Sequence, residues 1–381
     1  MHIDVNNAFL SWTAVHMIHN GSKIDIRNRY AVIGGKESER KGIVLAKSNL
    51  CKKCGVITGE TLYAARRKCP YLEVYQPEFK IYKKYSDIMY TYLCSYTLKI
   101  ERYSIDECFI DFSDKDEIRN DPVKWAYKIK NDIKDNFGFT VNVGIGNNKL
   151  LAKMASDFSK PDKVHTLFTW EVKEKMWPLA VEDLFMIGKA SSKKLHELSI
   201  NTIYDLANTK REYLERYFKS MGKMMWEYAN GIDNSVVESD YGNPKSISNS
   251  CVLPYNYSNI EDIYREIRKL AVTTGRKLRE KKMYTSNVMI WVKFDDFSKI
   301  SKQMTLDNLI QDEKIYEYAI KLFNMIWNRD SDKLVRALCV GVNNLTDKYV
   351  VQLSMFENVD IKNQEDDKLK KALNNIKEKY G

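Results

Sequence analysis

Two alternating segments that flank an acidic pair constrain this fold more than any other feature. Residues 99–103 and 108–112 alternate polar and apolar side chains, and Asp106 and Glu107 stand between them. Alternation with a period of two is typical of a half-buried β-strand, so these residues predict a hairpin with two acids at its tip. Acids at hairpin tips are usually just solvated, so the pair alone does not establish a functional site.

A third acid strengthens the prediction of a site. Asp4 lies near the end of a predicted strand at residues 1–5, which would bring it beside Asp106 and Glu107 if the strand paired with the hairpin. Three converging carboxylates repel one another unless cations neutralise them, and oxygen ligands of this kind suit Mg²⁺. Two such ions can activate a hydroxyl nucleophile and stabilise a leaving pyrophosphate. The sequence therefore predicts a site for two magnesium ions with these three catalytic carboxylates.

The segments that follow the hairpin predict a mixed sheet. Asp121 caps a predicted helix that begins at Pro122 and ends at Gly138. A strand at 139–146 and a helix at 148–159 come next. This order of elements predicts an α+β domain with helices on one face of the sheet.

The rest of the chain predicts two further domains. Residues 170–235 carry only helical patterns, and the polar stretch 233–244, which contains Gly and Pro, predicts a linker. Beyond it, strands and helices are interleaved, which predicts a second α+β domain. Strands are predicted at 248–254, 286–294, 299–304, 336–342 and 349–354, and helices at 259–282 and 312–328.

Charge and composition indicate a soluble protein with a polyanionic partner. The formal net charge is +10, and no apolar run approaches the ~18–20 residues that cross a bilayer. No membrane association and a cytoplasmic, nucleoid-associated location are therefore expected. Seven scattered cysteines give no disulfide framework. Cys51 and Cys54 have the spacing of zinc ligands, but no second pair completes four ligands, so simple packing is favoured.

Four ordered motifs resemble those of the Y-family DNA polymerases. They are IDVNNAF at 3–9, YSIDECFID at 103–111, VGIGNNKLLAKMASD at 143–157 followed by Lys160 and Pro161, and KSISNS at 245–250. The resemblance implies a multidomain α+β protein, a right-hand polymerase with palm, small fingers, helical thumb and α+β little finger. The implied ranges are 1–10 and 76–168 for the palm, 11–75 for the fingers, 169–235 for the thumb, 236–244 for a linker, 245–355 for the little finger and 356–381 for a charged tail.

The resemblance also implies an activity, which is low-fidelity, template-directed DNA synthesis past lesions. A dNTP would be added to the 3′-hydroxyl of a primer–template DNA with release of pyrophosphate. Asp4 and Asp106 would each contact both metal ions, Glu107 would hold the ion on the catalytic side, and the Val5 carbonyl would add a backbone ligand. Lys160 would reach the incoming triphosphate, where a cation offsets developing negative charge.

Phe9 matches the aromatic steric gate of this family, the side chain that excludes a ribose 2′-hydroxyl. From the sequence alone, without the resemblance, a core aromatic is the favoured interpretation of Phe9. The fingers depart from the family pattern, because Ala46, Asn49 and Lys52 stand where Thr, Tyr and Arg are usual. Ala8 also replaces a common aromatic. These substitutions predict a roomy nucleotide site in which Asn49 and Lys52 are weak contacts, since a lysine lacks the bidentate fork of arginine.

Two regions are predicted to contact DNA. Residues 184–200 resemble a helix-hairpin-helix, in which Gly188 and Lys189 are the expected phosphate contacts, although Met186 and Ser199 replace common glycines. The second region is a basic amphipathic helix, for which a merely solvated face is the alternative. Its candidate contacts are Arg268, Lys269, Arg276, Lys277 and Arg279.

Residues 352–356 match the short peptide by which bacterial polymerases bind the sliding clamp. The expected contacts are Gln352, Leu353, Met355 and Phe356. Such a partner is compatible with a monomeric enzyme. A non-catalytic DNA- and clamp-binding accessory and a palm-fold nucleotidyl cyclase are the alternative functions. The intact acid trio argues against the first, and the thumb and basic second domain argue against the second.

Overall fold

The computed structural model describes residues 1–239, 242–311, 313–327 and 332–348. The chain divides between Tyr241 and Gly242 into two compact units. Within the described ranges, no helix is long and apolar enough to cross a membrane. The sliding-clamp peptide, the strand predicted at 349–354 and the charged tail lie outside the described residues.

The first unit begins with the sheet and helices that carry the acid trio. Its elements are β1 (His2–Val5), α1 (Ala8–His19), β2 (Ala31–Gly34), β3 (Val44–Lys47), α2 (Asn49–Lys53), α3 (Leu62–Lys68), β4 (Glu73–Tyr75), α4 (Phe79–Cys94), β5 (Ile100–Arg102), β6 (Glu107–Ile110), α5 (Asp116–Asn120), α6 (Pro122–Phe137), β7 (Val141–Gly146), α7 (Lys149–Asp157), β8 (Val164–Leu167), α8 (Lys189–Glu197), α9 (Ile203–Asn208), α10 (Arg211–Phe218) and α11 (Ser220–Ala229). Short 3-10 or π turns lie at Ile26–Asn28, Glu37–Glu39, Thr169–Glu171, Val172–Met176 and Val181–Asp183.

A five-stranded sheet in the order β5-β6-β1-β7-β8 forms the centre of this unit. β1 pairs antiparallel with both β6 and β7, whereas β7 and β8 are parallel. The predicted hairpin is therefore present, and the predicted first strand does lie beside it. In that pairing Asp4 stands directly opposite Glu107.

Helices cover both faces of this sheet, so the prediction of helices on one face is wrong. α1, α4 and α6 pack on the face that carries Ile3, Val5 and Val143. α7 lies on the opposite face because Gly144 and Gly146 have no side chains there. A Cβ at Gly144 would overlap the carbonyl oxygen of Ala152 in α7. The sequence prediction missed the role of these glycines as contact points for a helix.

Two smaller cores complete the first unit. The small sheet β3-β2-β4 packs with α2 and α3 around buried Cys51, Cys69 and Leu62. α8 to α11 form the helical region, and its core includes Leu150 and Met154 of α7. The helical region thus shares its apolar core with a helix of the central sheet.

The start of the predicted linker is held against the central sheet. Lys149 donates hydrogen bonds to a carboxylate oxygen of Glu101 at 2.6 Å and to the Val236 carbonyl at 3.3 Å. The same Glu101 carboxylate accepts the Glu238 N–H at 3.0 Å. Residues 236 to 238 are therefore held by hydrogen bonds to α7 and β5.

The second unit is a four-stranded antiparallel sheet in the order β11-β10-β12-β9, with two helices on one face. Its elements are β9 (Ser246–Tyr257), α12 (Ile260–Glu280), β10 (Tyr284–Phe294), β11 (Lys299–Ile310), α13 (Glu313–Asn324) and β12 (Val335–Thr346). The strands are longer than predicted. Within the described part of this unit, α12 and α13 both pack on the face that carries Val288, Ile290 and Val340, and no described helix packs on the second face.

Candidate active site

One cavity of about 370 Å³ contains every side chain and backbone position that was predicted to bind metal or nucleotide. It opens where β1 ends, between the central sheet and the β3–α2 segment. Its lining residues are Asp4, Val5, Asn6, Asn7, Ala8, Phe9, Leu45, Ala46, Asn49, Lys52, Thr58, Asp106, Glu107, Lys160 and Pro161. Thr58 had no predicted role, and it adds a hydroxyl to this wall.

Strand pairing fixes the three acids. Glu107 begins β6 and lies in register with Asp4 of β1. The carbonyl of Asp106 accepts the Val5 N–H at 3.0 Å, which ties the hairpin turn to the end of β1. The Asp106 carboxylate accepts a hydrogen bond from the Ser104 hydroxyl at 2.7 Å. The backbone therefore brings the carboxylates to one place, as the sequence predicted.

Lys160 and Lys153 form ion pairs with the remaining carboxylates of the site. Lys160 donates to Asp4 at 2.6 Å and to Asp157 at 2.8 Å. Lys153 of α7 donates to Glu107 at 2.7 Å and lies 3.6 Å from Asp4 and 3.2 Å from Asp157. Lys153 and Asp157 were not predicted as site residues. A lysine between Ala152 and Met154 in an otherwise apolar helical stretch was the available signal, because a lysine is rarely buried without a partner.

Burial perturbs the acids of this cluster. It raises the pKa of Asp4, although Lys160 and Lys153 pull that pKa down. Burial also raises the pKa of Glu107 against the opposing hydrogen bond from Lys153. Burial lowers the pKa of Lys153, but Glu107 and Asp157 more than offset this, so the lysine pKa lies above its usual value. The lysines are firmly charged, yet they do not fully compensate the buried carboxylates.

This donor set fits hard divalent cations. Among the described residues, two ammonium groups, those of Lys153 and Lys160, form the ion pairs of Asp4, Glu107 and Asp157, and the Asp106 carboxylate lies in the same cluster. Further positive charge would therefore be stabilised here. Carboxylate oxygens are the ligands that such ions prefer. As the side chains stand, no group of three acidic, His or Cys side chains among the described residues forms a ready ligand set. The reason is visible in the contacts, since Lys153, Lys160 and Ser104 already bond these oxygens.

Phe9 forms an aromatic wall of the cavity. Its ring stacks on Tyr82 with centroids 4.6 Å apart and an angle of 17° between the ring planes. Tyr82 is fully buried, and its hydroxyl lies 3.1 Å from that of Thr13. The two interpretations left open by the sequence are therefore compatible, because Phe9 both packs on the core and faces the cavity.

A polar network holds the loop that carries Lys160. Asn142 donates to the carbonyls of Ser156 and Ser159 at 3.0 and 2.6 Å. Asn6 donates to Asn142 at 3.1 Å and accepts the Asp162 N–H at 2.9 Å. Asn142 is fully buried. The loop that follows α7 is therefore anchored on both sides of Lys160, which sequence patterns did not reveal.

The helical hairpin adopts the backbone that glycines usually supply. Met186 has φ 71° and Ser199 has φ 61°, both in the left-handed region. Gly188 immediately precedes α8, and Lys189 is the first residue of that helix. Both residues therefore take up the left-handed backbone conformation although neither is a glycine.

The predicted basic residues lie on α12, and each of the five interacts with neighbouring groups. Lys269 pairs with Glu266 at 2.7 Å and Arg276 with Glu280 at 3.8 Å. Arg268 lies over the Tyr316 ring with its guanidinium 5.8 Å from the centroid, and Lys277 donates to Asn249 at 2.6 Å. Arg279 is also on this helix. Their role in DNA binding stays a prediction.

A wider groove of about 760 Å³ lies elsewhere on the first unit. It runs between α4 and the end of α6 and is lined by Lys80, Lys83, Lys84, Tyr92 and Phe137, among others. Asp87 is the sole acid among the described residues that line this groove, and it pairs with Arg102 at 2.6 Å. The candidate catalytic groups therefore converge in the smaller cavity at the end of β1 and not in this groove.

Comparisons with known proteins agree with this geometry. Residues 3–157 match the impB/mucB/samB family, and residues 244–355 match the C-terminal domain of the same family. DNA polymerase IV of Clostridium acetobutylicum is 45% identical over 100% of this chain and 95% of its own length. DNA polymerase IV 1 of Bacillus subtilis is 32% identical over 100% of this chain and 90% of its own length.

Solved structures show the same fold. A Y-family DNA polymerase chimera of Dbh and Dpo4 aligns with a TM-score of 0.78 at 23% identity, over 92% of this chain and 99% of the other. DinB of Sulfolobus solfataricus aligns with a TM-score of 0.59 at 22% identity, over 92% and 99%. Fold and site together define a right-hand nucleic-acid polymerase. The chain belongs to the Y family of DNA polymerases and is a DNA-directed DNA polymerase of the translesion type, a family whose members use divalent metal ions.

Proposed function

We propose that the cavity at the end of β1 is where this polymerase adds a dNTP to a primer 3′-hydroxyl, with Asp4, Asp106 and Glu107 as the carboxylates that hold two Mg²⁺ ions. The observation that carries this proposal is the convergence of these acids with Phe9 and Lys160 on one cavity. The Val5 carbonyl would add a backbone ligand. When bound, the two ions would activate the hydroxyl and stabilise the pyrophosphate.

The chain's own side chains would position the nucleotide. Phe9, held flat on Tyr82, would limit the space beside the sugar. Lys160 would exchange its bond to Asp4 for the triphosphate, since it is the more exposed of the two lysines in the cluster. Asn49 and Lys52 of α2, with Thr58, would contact the nucleotide from the opposite wall. Few of these contacts are bidentate, which supports low fidelity.

The face of the second sheet opposite α12 and α13 is a candidate surface for primer–template DNA. Its paired positions carry mostly small or uncharged polar side chains, and none of them is acidic. These positions are Ser246, Ser248, Ser250, Val252, Asn287, Met289, Trp291, Lys293, Lys299, Ser301, Gln303, Thr305, Ala337, Cys339, Gly341 and Asn343. Hydroxyl, amide and ammonium donors on a flat face suit DNA phosphates, which accept hydrogen bonds without regard to sequence.

Two further contacts complete the proposal. The backbone amides near Gly188 and Lys189 would bind one DNA phosphate at the helical hairpin, because amides at the start of a helix point away from it. The residues of the clamp peptide, Gln352, Leu353, Met355 and Phe356, would recruit a bacterial sliding clamp to a monomeric enzyme at the nucleoid. The match of that peptide to the clamp-binding pattern is what supports this partner.

Primer extension tests the site against a non-catalytic accessory role. Asp106→Ala and Glu107→Ala should each abolish extension with dNTPs and Mg²⁺, because the metal ligands are lost. Binding of primer–template DNA in a gel-shift assay should be largely kept. Asp111→Ala is a suitable control, since this acid follows β6 and does not line the cavity. Extension at the unmodified rate by either cavity variant would exclude the assignment.

A further inference from the structure

Lys153 is the most deeply buried cation of the acidic cluster. Its side chain is 10% exposed, and its ammonium lies within 2.7–3.6 Å of Glu107, Asp157 and Asp4. Lys160, by comparison, is 37% exposed and bonds Asp4 and Asp157. The two lysines therefore differ in how far their side chains can move. Lys153 is enclosed between α7 and the sheet, whereas Lys160 lies on the loop after α7 and lines the cavity.

The position of Lys153 is set by backbone packing and not by the acids alone. α7 is pressed onto β7 at Gly144 and Gly146, where no side chain separates helix and sheet. This close approach directs the stem of Lys153 under the end of β1. Leu150 and Met154 on the same helix are fixed in the core of the helical region. The packing of α7 on both sides therefore fixes the position of the ammonium beside the carboxylates.

Removing this ammonium would leave the Glu107 carboxylate without its ion-pair partner. Glu107 accepts its bond from Lys153, and Asp4 would retain only the exposed Lys160. Buried charges are costly unless they are paired, and the loss of one partner is far more costly than the absence of both. A divalent ion in the cavity would supply the missing charge to the same oxygen atoms. Lysine and ion are therefore alternative sources of positive charge.

We propose that Lys153 is a positioning residue that supplies a fixed positive charge to Asp4 and Glu107 whenever no divalent ion is bound. Its ammonium keeps the two carboxylates in place while the cavity holds no ion. This inference rests on the proposed assignment of the acids as metal ligands. Its test is therefore read from protein stability and ion binding, and not from polymerase activity.

Thermal unfolding of Lys153→Met with and without Mn²⁺ tests the proposal. Without the ion, the midpoint should fall by roughly 5–10 °C, the size expected when a buried charge loses its partner. Mn²⁺ should raise the midpoint of the variant much more than that of the unmodified protein and close most of the gap. Mn²⁺ should also bind about tenfold more tightly in direct titration, since a competing charge is gone. Lys153→Arg keeps the charge and should behave like the unmodified protein.

Lys149→Met is the matched control. It lies one turn earlier on α7 and bonds Glu101 at 2.6 Å, outside the cavity. This variant should lose stability to a similar degree, but Mn²⁺ should not restore it. If Mn²⁺ raises the Lys153→Met midpoint no more than that of Lys149→Met, Lys153 is a structural ion pair only. An unchanged midpoint in Lys153→Met without the ion would also overturn the proposal.

A double variant covers the case in which Lys153→Met does not fold. Lys153→Met with Glu107→Gln removes both members of the bonded pair and leaves one unpaired carboxylate fewer. The double variant should fold with a higher unfolding midpoint than Lys153→Met. Its loss of midpoint should be smaller than the sum of the losses in the two single variants. An additive or greater loss in the double variant would refute the pairing. Loss of polymerase activity in Asp106→Ala is independent of these readings, so the two proposals fail separately.

Discussion

Phe9 lies flat against Tyr82, with ring centroids 4.6 Å apart, while it also faces the cavity that holds the three carboxylates. A surface phenylalanine could swing between rotamers, but stacking on a fully buried ring restricts it. The aromatic wall is therefore rigid. A rigid wall can exclude an extra hydroxyl group, whereas a mobile one would yield to it.

Phe9→Ala should increase the use of ribonucleotides strongly, because the wall beside the sugar is removed. The measurement is the ratio of rNTP to dNTP incorporation efficiency on one primer–template. Phe79→Ala is the control. The Phe79 ring packs edge-to-face with the Phe9 ring, with ring centroids 6.0 Å apart, but Phe79 does not line the cavity. Its ratio should stay near that of the unmodified enzyme. An unchanged ratio in Phe9→Ala would return this residue to a packing role.

Met186→Gly should stabilise the protein. Met186 has φ 71°, a conformation that costs a non-glycine residue about 1–2 kcal/mol. After the extra chain entropy of glycine is subtracted, a gain of about 0.5–1 kcal/mol in the free energy of unfolding is expected. Denaturant titration measures it. Met186→Ala should show no such gain, because alanine keeps the penalty. Equal effects of both substitutions would mean that backbone strain is absent at this turn.

The salt dependence of DNA binding should distinguish the two candidate surfaces of the second unit. Each lost phosphate contact lowers the slope of log affinity against log salt by about one. Lys293 and Lys299, which form no ion pair within the described ranges, should together lower the slope by about two when changed to Gln. The corresponding change at Lys269 and Arg276 should matter less, because these residues are paired with acids.

The opposite result would assign the phosphate contacts to α12 instead of the sheet. If Lys269→Gln and Arg276→Gln reduce the slope while Lys293→Gln and Lys299→Gln leave it intact, the outer face of α12 carries the phosphate contacts. Affinities should be measured on two unrelated sequences. The loss should be the same on both, because phosphate contacts carry no sequence information.

Leu353→Ala combined with Phe356→Ala should remove stimulation by a loaded sliding clamp. A short peptide binds a pocket weakly, but tethering to a clamp on DNA raises the local concentration of the enzyme. Product length should be compared with and without the clamp on the same template. Synthesis without the clamp should be unchanged. Reduced clamp-free activity or a lower melting temperature would instead place these two residues in the folded core.

Local patterns in the sequence were enough to predict the elements that carry the acids. The helix at Pro122–Phe137 was predicted at both ends, because Asp121 caps it through a bond to the Lys124 N–H and Gly138 ends it with φ 74°. The sequence left the pairing of β1 with the hairpin as a condition, and the structure shows that the two are paired. The acidic trio needed no more than this pairing to converge.

Long-range packing decided what the sequence did not reveal. Lys153 is a site residue only because Gly144 and Gly146 let α7 approach the sheet, a contact that alternation patterns do not encode. The Asn6–Asn142 bond joins residues 136 positions apart. Met186 and Ser199 stand where glycine is common in this motif, yet both adopt positive φ. In each case tertiary contacts outweigh the local preference of the residue.

The sharing of α7 between two cores limits how this polymerase can be dissected. Leu150 and Met154 complete the apolar centre of the helical region, while Lys153 on the same helix holds the carboxylates. A fragment that ended after β8 would expose those apolar side chains and loosen the helix that carries Lys153. The acidic site and the helical region should therefore unfold in a single cooperative step. Exchanging the helical region between relatives would require α7 to be exchanged with it.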